Sequence, residues 1–195
     1  DKLTDKITLT AGLCNGWDTI RNAAQLNKGE FAIQYQPATD FLVMFDIYTG
    51  RQNLTDTAVS GPSGWRNFYD LYAVYHYNDQ LTFMTQADYG MQTKGLLLNG
   101  EAGRVTWEGI AGYVNYLLND RWRLAARAEL FEDFNGYRTG VKQNWREITL
   151  TAGYYLFKHL QLVGETRYDV SNRDAFQNKT GVGLGKSQLS FALNT

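Results

Sequence analysis

The feature that most constrains the fold is a period-two alternation of apolar and polar residues along almost the whole chain. Such alternation places successive side chains on opposite faces of a β-strand, whereas an amphipathic helix needs a period near 3.6. Ten segments show it: residues 6–13, 30–36, 41–48, 68–77, 81–89, 105–117, 121–131, 147–156, 160–169 and 188–194. The sequence therefore predicts an all-β chain of about ten strands.

Segment length and composition both favour a membrane sheet over a soluble one. Most segments are longer than the roughly 5 to 6 residues typical of soluble strands and close to the roughly 9 to 11 that a tilted strand needs to cross a bilayer. The 13 Tyr, 10 Phe and 5 Trp are good strand formers, and 19 Gly against 2 Pro suit tight turns. No apolar run approaches 18 residues, so no membrane-spanning helix is predicted.

The connections alternate in length, which indicates how the strands are arranged. Residues 37–40, 78–80, 118–120 and 157–159 are short hairpin turns, and residues 14–29, 49–67, 90–104, 132–146 and 170–187 are long polar loops. All the long loops then fall at one end of the sheet, as in bacterial outer-membrane barrels with long extracellular loops and short periplasmic turns. We predict an antiparallel up-and-down transmembrane β-barrel, with residues 1–195 in one domain.

The phase of the alternation assigns each strand residue to a face. The lipid-facing residues are predicted to include Phe41, Val43, Phe45, Trp122, Leu124, Leu150 and Leu162. The lumen-lining residues are predicted to include Asp46, Asp70, Asp88, Arg123, Arg127, Glu129, Glu147, Glu165, Arg167 and Asp169. A soluble barrel would show the same alternation with its apolar face inward, so periodicity alone does not choose between the two.

Aromatic placement favours the membrane. Eight aromatic residues lie beside the short turns, where a girdle at the membrane interface would place them. They are Tyr35, Phe41, Tyr75, Tyr77, Tyr116, Trp122, Tyr154 and Phe157.

Charge and chemistry-bearing residues exclude several functional classes. A net charge of −1 offers no basic surface for nucleic acid. The single cysteine, Cys14, has no partner for an intramolecular disulfide, and no Cys/His cluster has metal-site spacing. We therefore predict no catalytic residues, no metal and no cofactor. The expected partners are outer-membrane lipid and small hydrophilic solutes or ions.

Several strand and turn motifs, in this order, resemble the OmpL-like, porin-2 type of bacterial outer-membrane β-barrel porins. They are Leu9-Thr10-Ala11-Gly12-Leu13-Cys14-Asn15-Gly16-Trp17-Asp18, Phe68-Tyr69-Asp70-Leu71-Tyr72-Ala73-Val74-Tyr75 with Ala87-Asp88-Tyr89-Gly90, Gly109-Ile110-Ala111-Gly112-Tyr113, Asn119-Asp120-Arg121-Trp122-Arg123-Leu124-Ala125-Ala126-Arg127-Ala128-Glu129, Arg138-Thr139-Gly140, and Glu165-Thr166-Arg167-Tyr168-Asp169 with Ser171-Asn172. The resemblance rests on the order and spacing of these motifs, which extend over nearly the whole chain. The resemblance implies a bacterial outer-membrane location and a pore-like role without catalytic residues.

Two departures from that family bear on the width of the pore. The chain begins directly on a strand, and its last strand lacks a terminal aromatic residue. It is therefore either a whole barrel or the C-terminal portion of a larger one. Ten strands enclose a narrow interior, so either the barrel is wider than this chain or the lumen is a salt-bridged core. The predicted lumen carries more carboxylates than arginines, which favours cations.

Two other functions remain open at this stage. An outer-membrane enzyme would need a site among the extracellular loops, yet His76 and His159 fall at the short-turn end, and Glu132, Asp133 and Asp169 are interpreted as rim charges. A soluble lipocalin-like binding barrel would need no detergent for extraction. The outer-membrane channel is the predicted function.

Overall fold

The computed structural model describes residues 2–14, 28–54, 62–177 and 184–194. The inner parts of three predicted loops, residues 15–27, 55–61 and 178–183, lie outside the described residues, and so does the Asn15-Gly16-Trp17-Asp18 motif. Within the described ranges, no helix is long and apolar enough to cross a membrane.

Among the described residues, ten strands form one antiparallel sheet in the order β1 to β9 followed by β12. They are β1 (Ile7–Cys14), β2 (Lys28–Ala38), β3 (Phe41–Asn53), β4 (Ser63–His76), β5 (Leu81–Leu96), β6 (Ala102–Leu117), β7 (Trp122–Asp133), β8 (Gln143–Phe157), β9 (Leu160–Ser171) and β12 (Ser187–Asn194). Two strands of two residues each, β10 (Phe176–Gln177) and β11 (Leu184–Gly185), lie between β9 and β12 in the chain and pair with each other antiparallel. The predicted all-β, up-and-down fold with about ten strands is confirmed.

Nine of the ten described strands of this sheet are longer than the sequence predicted, while β1 has the predicted length of eight residues, and the loops are correspondingly shorter. The predicted loop 90–104 is a turn of residues 97–101, in which Leu97 N–H donates to the Glu101 carbonyl over 2.9 Å and Gly100 has a φ of +84°. The predicted loops 49–67 and 132–146 also begin and end as strand. Apolar alternation stops where a barrel leaves the hydrocarbon, although the backbone ladder continues, so the period underestimates strand length.

The register shows that the strands are staggered. One row of directly opposed residues connects Asp46, Asp70, Asp88, Gly109, Phe131 and Trp145 across six strands. Asp46 is the sixth residue of β3 from its short-turn end, whereas Trp145 is the third residue of β8 from its loop end. The row therefore shifts from the short-turn end towards the loop end as it crosses the sheet. The tilted, staggered strands of a barrel produce such a shift.

Asparagine side chains shape two of the short turns. The Asn78 Oδ1 atom accepts hydrogen bonds from the backbone N–H groups of Gln80 (2.9 Å) and Leu81 (2.8 Å). Asn119 does the same for Arg121 and Trp122, both at 3.0 Å. An Asx-turn of this kind offers the backbone its partners locally, which fixes a tight hairpin.

The outermost strands of the sheet are β1 and β12. Their direction alternates with the rest of the sheet, so β1 runs towards the loop end and β12 away from it. Among the described residues, the two are not paired with each other. A transmembrane sheet has no exposed edges in lipid, so the way these two strands are completed decides the width of the barrel.

Candidate functional site

The candidate site is the polar face of the sheet, which is also its shielded face. In β8, Glu147 and Thr149 are buried, at 4% and 5% exposure, while the intervening Ile148 and the next residue, Leu150, are each 58% exposed. A soluble protein shows the opposite pattern, with apolar side chains buried and charged ones in water. The apolar face of this sheet is therefore the one without cover.

The register places every predicted lipid-facing residue on the exposed apolar face. The seven residues are Phe41, Val43, Phe45, Trp122, Leu124, Leu150 and Leu162. Three aromatic contacts reinforce this face beside the short turns. Phe41 meets Tyr75 with ring centroids 6.4 Å apart, and Trp122 meets Tyr154 at 4.8 Å. Tyr75 also contacts Tyr77 at 6.4 Å.

All ten predicted lumen-lining residues share the polar face. They are Asp46, Asp70, Asp88, Arg123, Arg127, Glu129, Glu147, Glu165, Arg167 and Asp169. Asp46, Asp70 and Asp88 stand directly opposite one another on β3, β4 and β5, and we call them the aspartate row. Gln86 Nε2 donates to Asp70 Oδ1 over 3.1 Å. Like charges directly opposite each other are unfavourable, so this row concentrates negative potential on one side of the face.

On the other side of the face, arginines and carboxylates pair. We call Arg127, Glu147, Arg167 and Asp169 the arginine network. Glu147 accepts bonds from both Nε (2.8 Å) and Nη2 of Arg127, and it forms an ion pair with Arg167 Nη2 at 2.9 Å. Arg167 also reaches Asp169, with Nε 3.0 Å from each carboxylate oxygen. A buried carboxylate is tolerable here because two guanidinium groups and the Thr149 hydroxyl (2.6 Å) satisfy it.

The short-turn half of the polar face is open. Arg123 is exposed and donates to Asn115 Oδ1 over 3.0 Å, and Glu165 accepts from the Thr151 hydroxyl over 3.2 Å. These four residues line one polar cavity of about 330 Å³. The short-turn half of the polar face therefore contains open space between its polar side chains.

The loop half of the polar face is filled, which the sequence did not predict. Arg66 (β4), Gln92 (β5) and Trp107 (β6) are almost completely buried there, and the partly buried Tyr137 from the loop between β7 and β8 contacts Arg66 and Trp107. We call these four residues the mouth cluster. Arg66 Nε donates to Gln92 Oε1 over 2.8 Å, and the Arg66 guanidinium lies 5.5 Å from the ring centroids of both Trp107 and Tyr137.

A glycine makes room for the mouth cluster. Gly90 is the register partner of Trp107, and a Cβ atom at Gly90 would overlap the Trp107 ring. Glycine inside a strand often marks such a close approach. In the sequence, the only hint of this cluster is that Gly90 and Trp107 both fall at polar-face positions of neighbouring strands.

Two carboxylates interpreted as rim charges are buried, so that prediction is wrong for them. Asp133 is fully buried and accepts hydrogen bonds from the backbone N–H groups of Tyr137 (3.0 Å), Arg138 (2.8 Å) and Thr139 (2.8 Å). Asp169 is 1% exposed and belongs to the arginine network. A carboxylate at the end of a strand can satisfy a returning loop as readily as face water, and periodicity does not separate the two cases.

The histidines lie where the sequence placed them. His76 ends β4 at the short-turn end, with Nδ1 2.9 Å from the Thr82 hydroxyl, and His159 lies in the turn between β8 and β9. Within the described part of the chain, no group of three or more His, Cys, Asp or Glu residues could hold a metal ion.

Comparison with known proteins finds a matching family and solved structures with a similar fold. A family model described as "Putative beta-barrel porin-2, OmpL-like" matches residues 2–195. A NanC porin structure has a TM-score of 0.56 and 17% identity, over 96% of this chain and 90% of that chain. A Pseudomonas aeruginosa FadL homologue has a TM-score of 0.50 and 13% identity, over 98% and 62%. At these identities the two structures show a shared fold alone, and a search of curated proteins found no match.

Proposed function

The chain belongs to the OmpL-like β-barrel porins of the porin-2 family and is an outer-membrane protein, and from that premise we propose that it is a channel for passive diffusion of small hydrophilic solutes or ions. In this proposal, the polar face lines a hydrated lumen and the apolar face contacts lipid.

The observation that carries the proposal is the reversed burial of the two faces. Side chains such as Glu147 and Thr149 are shielded, whereas Ile148 and Leu150 stand uncovered on the same strand. Uncovered aliphatic side chains across a whole sheet face are unfavourable in water and favourable in a bilayer. This supports a membrane barrel with a polar interior, and it argues against a lipocalin-like binder, whose apolar face would be buried.

Charge on the polar face favours cations. In the arginine network, Arg127 and Arg167 are offset by Glu147 and Asp169 through direct ion pairs. The aspartate row remains on the opposite side as a concentration of negative charge. Rings or rows of carboxylates raise the local concentration of cations in a pore. We therefore expect the pore to prefer cations.

Planar-bilayer recording of the purified protein tests this function. In a salt gradient, the reversal potential should have the sign of cation selectivity, and the double variant Asp46→Asn with Asp88→Asn should move it towards zero. The matched control is Glu108→Gln with Glu132→Gln. These two carboxylates are register partners on the apolar face, so the control removes the same charge from outside the lumen and should leave the reversal potential unchanged.

Each other outcome has a defined meaning. Anion selectivity of the wild-type pore would contradict the charge argument. If the protein inserts into the bilayer without conducting, and hydrolyses a lipid or ester substrate, the enzyme alternative would replace the channel proposal. Equal effects of the two double variants would show that net charge, and not the lumenal position of the aspartates, sets selectivity.

The completion of β1 and β12 governs how much the pore conducts. Ten strands enclose an interior little wider than its own side chains, whereas wider barrels leave an aqueous channel. We propose that the 195-residue chain alone conducts weakly, and that further strands between β1 and β12 would widen the lumen. A conductance as large as that of general porins from this chain alone would overturn this part of the proposal.

A further inference from the structure

We propose that the loop between β7 and β8, residues 134–142, folds into the loop-end mouth of the barrel and sets the size cut-off for solutes, with Tyr137 as the side chain that holds it there. The inference rests on the proposed channel function, and its test separates the two.

The first observation is how far the loop reaches. Tyr137 belongs to the segment that leaves β7, yet its hydroxyl accepts a 2.6 Å hydrogen bond from Arg66 Nη2 on β4 and donates to Gln92 Oε1 on β5 over 3.3 Å. In the sheet, β4 lies three strands away from β7. A side chain that spans this distance must cross the polar face of the intervening strands, so the loop lies over the interior.

The second observation is the difference in burial along the polar face. At the loop end, Arg66, Gln92 and Trp107 are 0%, 0% and 2% exposed, although they lie on the same polar face that is open in the short-turn half. In the short-turn half, Arg123 has the same phase and is exposed. The interior is thus filled at one level and open at another, and the filling includes the stacked pair of Trp107 and Tyr137, with ring centroids 5.8 Å apart.

The third observation is that the loop has a defined shape. Asp133 binds three successive backbone N–H groups of the loop, and its Oδ2 also accepts from the Thr139 hydroxyl over 3.0 Å. Gly136 and Gly140 have φ values of +72° and +77°, a region that disfavours other residues. Hydrogen bonds within the chain and two left-handed glycines therefore hold the segment as a compact turn.

The fourth observation extends the loop towards the middle of the interior. Thr139 lines a cavity of about 120 Å³ together with Glu129, Trp145, Glu147 and Arg167. The loop thus approaches both the mouth cluster and the arginine network. A solute that enters from the loop end must pass beside these groups, and the narrowest level of a pore sets the largest solute that can pass.

Removal of the Tyr137 side chain tests the proposal. Tyr137→Ala should raise single-channel conductance by at least about twofold, because a wider constriction carries more current, and should admit larger sugars in liposome-swelling assays. Tyr137→Phe keeps the ring on Trp107 and should stay close to wild type. Tyr89→Ala is the matched control. Tyr89 stacks on Tyr69 on the apolar face of β5, near the level of the mouth cluster, so its removal should change neither conductance nor the size of the sugars admitted.

Limited trypsin digestion gives a readout that does not depend on conduction. Arg138 lies 5.4 Å from the Trp107 ring centroid, so the bond after it should be protected in the wild-type barrel and cleaved in Tyr137→Ala. Heat-modifiable migration on gels verifies that each variant has folded as a barrel. Tyr137→Phe serves if the alanine variant does not fold, because loss of its two hydrogen bonds should increase cleavage modestly.

The two readouts separate the two claims. A conducting wild type whose conductance and solute cut-off are unchanged in Tyr137→Ala would overturn the proposed role of the loop while leaving the channel intact. If no variant conducts, the channel function fails. The trypsin result then still decides the position of the loop. A protected wild type with increased cleavage in Tyr137→Ala, or in Tyr137→Phe where the alanine variant does not fold, supports it, and ready cleavage of the wild type after Arg138 overturns it.

Discussion

Loss of the Glu147 charge should measurably destabilise the barrel, because this carboxylate is the centre of the arginine network. Its side chain is 3% exposed and is bound by Arg127, Arg167 and Thr149. Glu147→Gln keeps the shape but removes the charge that both guanidinium groups share. The variant therefore leaves two like charges close together on the polar face.

The size of the effect follows from the exposure of the partners. Breaking a fully buried ion pair costs about 3–5 kcal/mol, whereas exposed pairs contribute about 0–1 kcal/mol. The two arginine side chains are 30% and 36% exposed, so water relieves part of the loss. We expect the free energy of unfolding to fall by about 2–3 kcal/mol, or about 1 M in the urea midpoint at a slope of about 2–3 kcal/mol/M.

Reversible urea unfolding in lipid vesicles, followed by tryptophan emission and gel mobility, measures this change. The control is Glu165→Gln on the same face, where the carboxylate accepts a hydrogen bond from the Thr151 hydroxyl, and the loss of its charge should cost less than about 1 kcal/mol. A double-variant cycle that adds Arg127→Met should show a coupling energy of at least about 1 kcal/mol. Equal costs for the two glutamates, or a coupling near zero, would refute the role given to the network.

Two further substitutions test local features of the fold. Gly90→Ala should cost about 1–3 kcal/mol in the same unfolding assay because its Cβ would displace Trp107, while Gly112→Ala, with open space at its Cβ, should be neutral or slightly stabilising. Asn119→Ala should lower stability by about 1 kcal/mol and slow refolding, because it removes both side-chain bonds of the turn between β6 and β7. A neutral Gly90→Ala or Asn119→Ala would contradict the corresponding structural explanation.

The sequence predicted the features that depend on period. Strand number, strand order and the division of each strand into two faces follow from apolar alternation and from the turns between the segments, because a pleated strand with one apolar and one polar face keeps a period of two. Phe45 and Asp46, which are neighbours in the chain, fall on opposite faces as the alternation requires.

The features that the sequence did not predict involve polar residues outside the apolar belt. Strand residues 90–96 have polar side chains on both faces, so they resemble a loop in a hydropathy pattern. The mouth cluster joins Arg66 to Tyr137, 71 positions further along the chain, through a loop whose path depends on Asp133 and two glycines. No local pattern specifies such a contact, since many polar residues could serve as the partner.

Site-directed thiol labelling of neighbouring strand positions tests the central claim most directly, which is that the polar face lines a hydrated lumen and the apolar face contacts lipid. In a Cys14→Ser background, Phe45→Cys and Asp46→Cys occupy adjacent positions on β3 at nearly the same depth. A charged, water-soluble maleimide should label Asp46→Cys and spare Phe45→Cys, and a lipid-soluble maleimide should do the reverse. The opposite pattern, or equal labelling of both positions by the water-soluble reagent, would contradict the account.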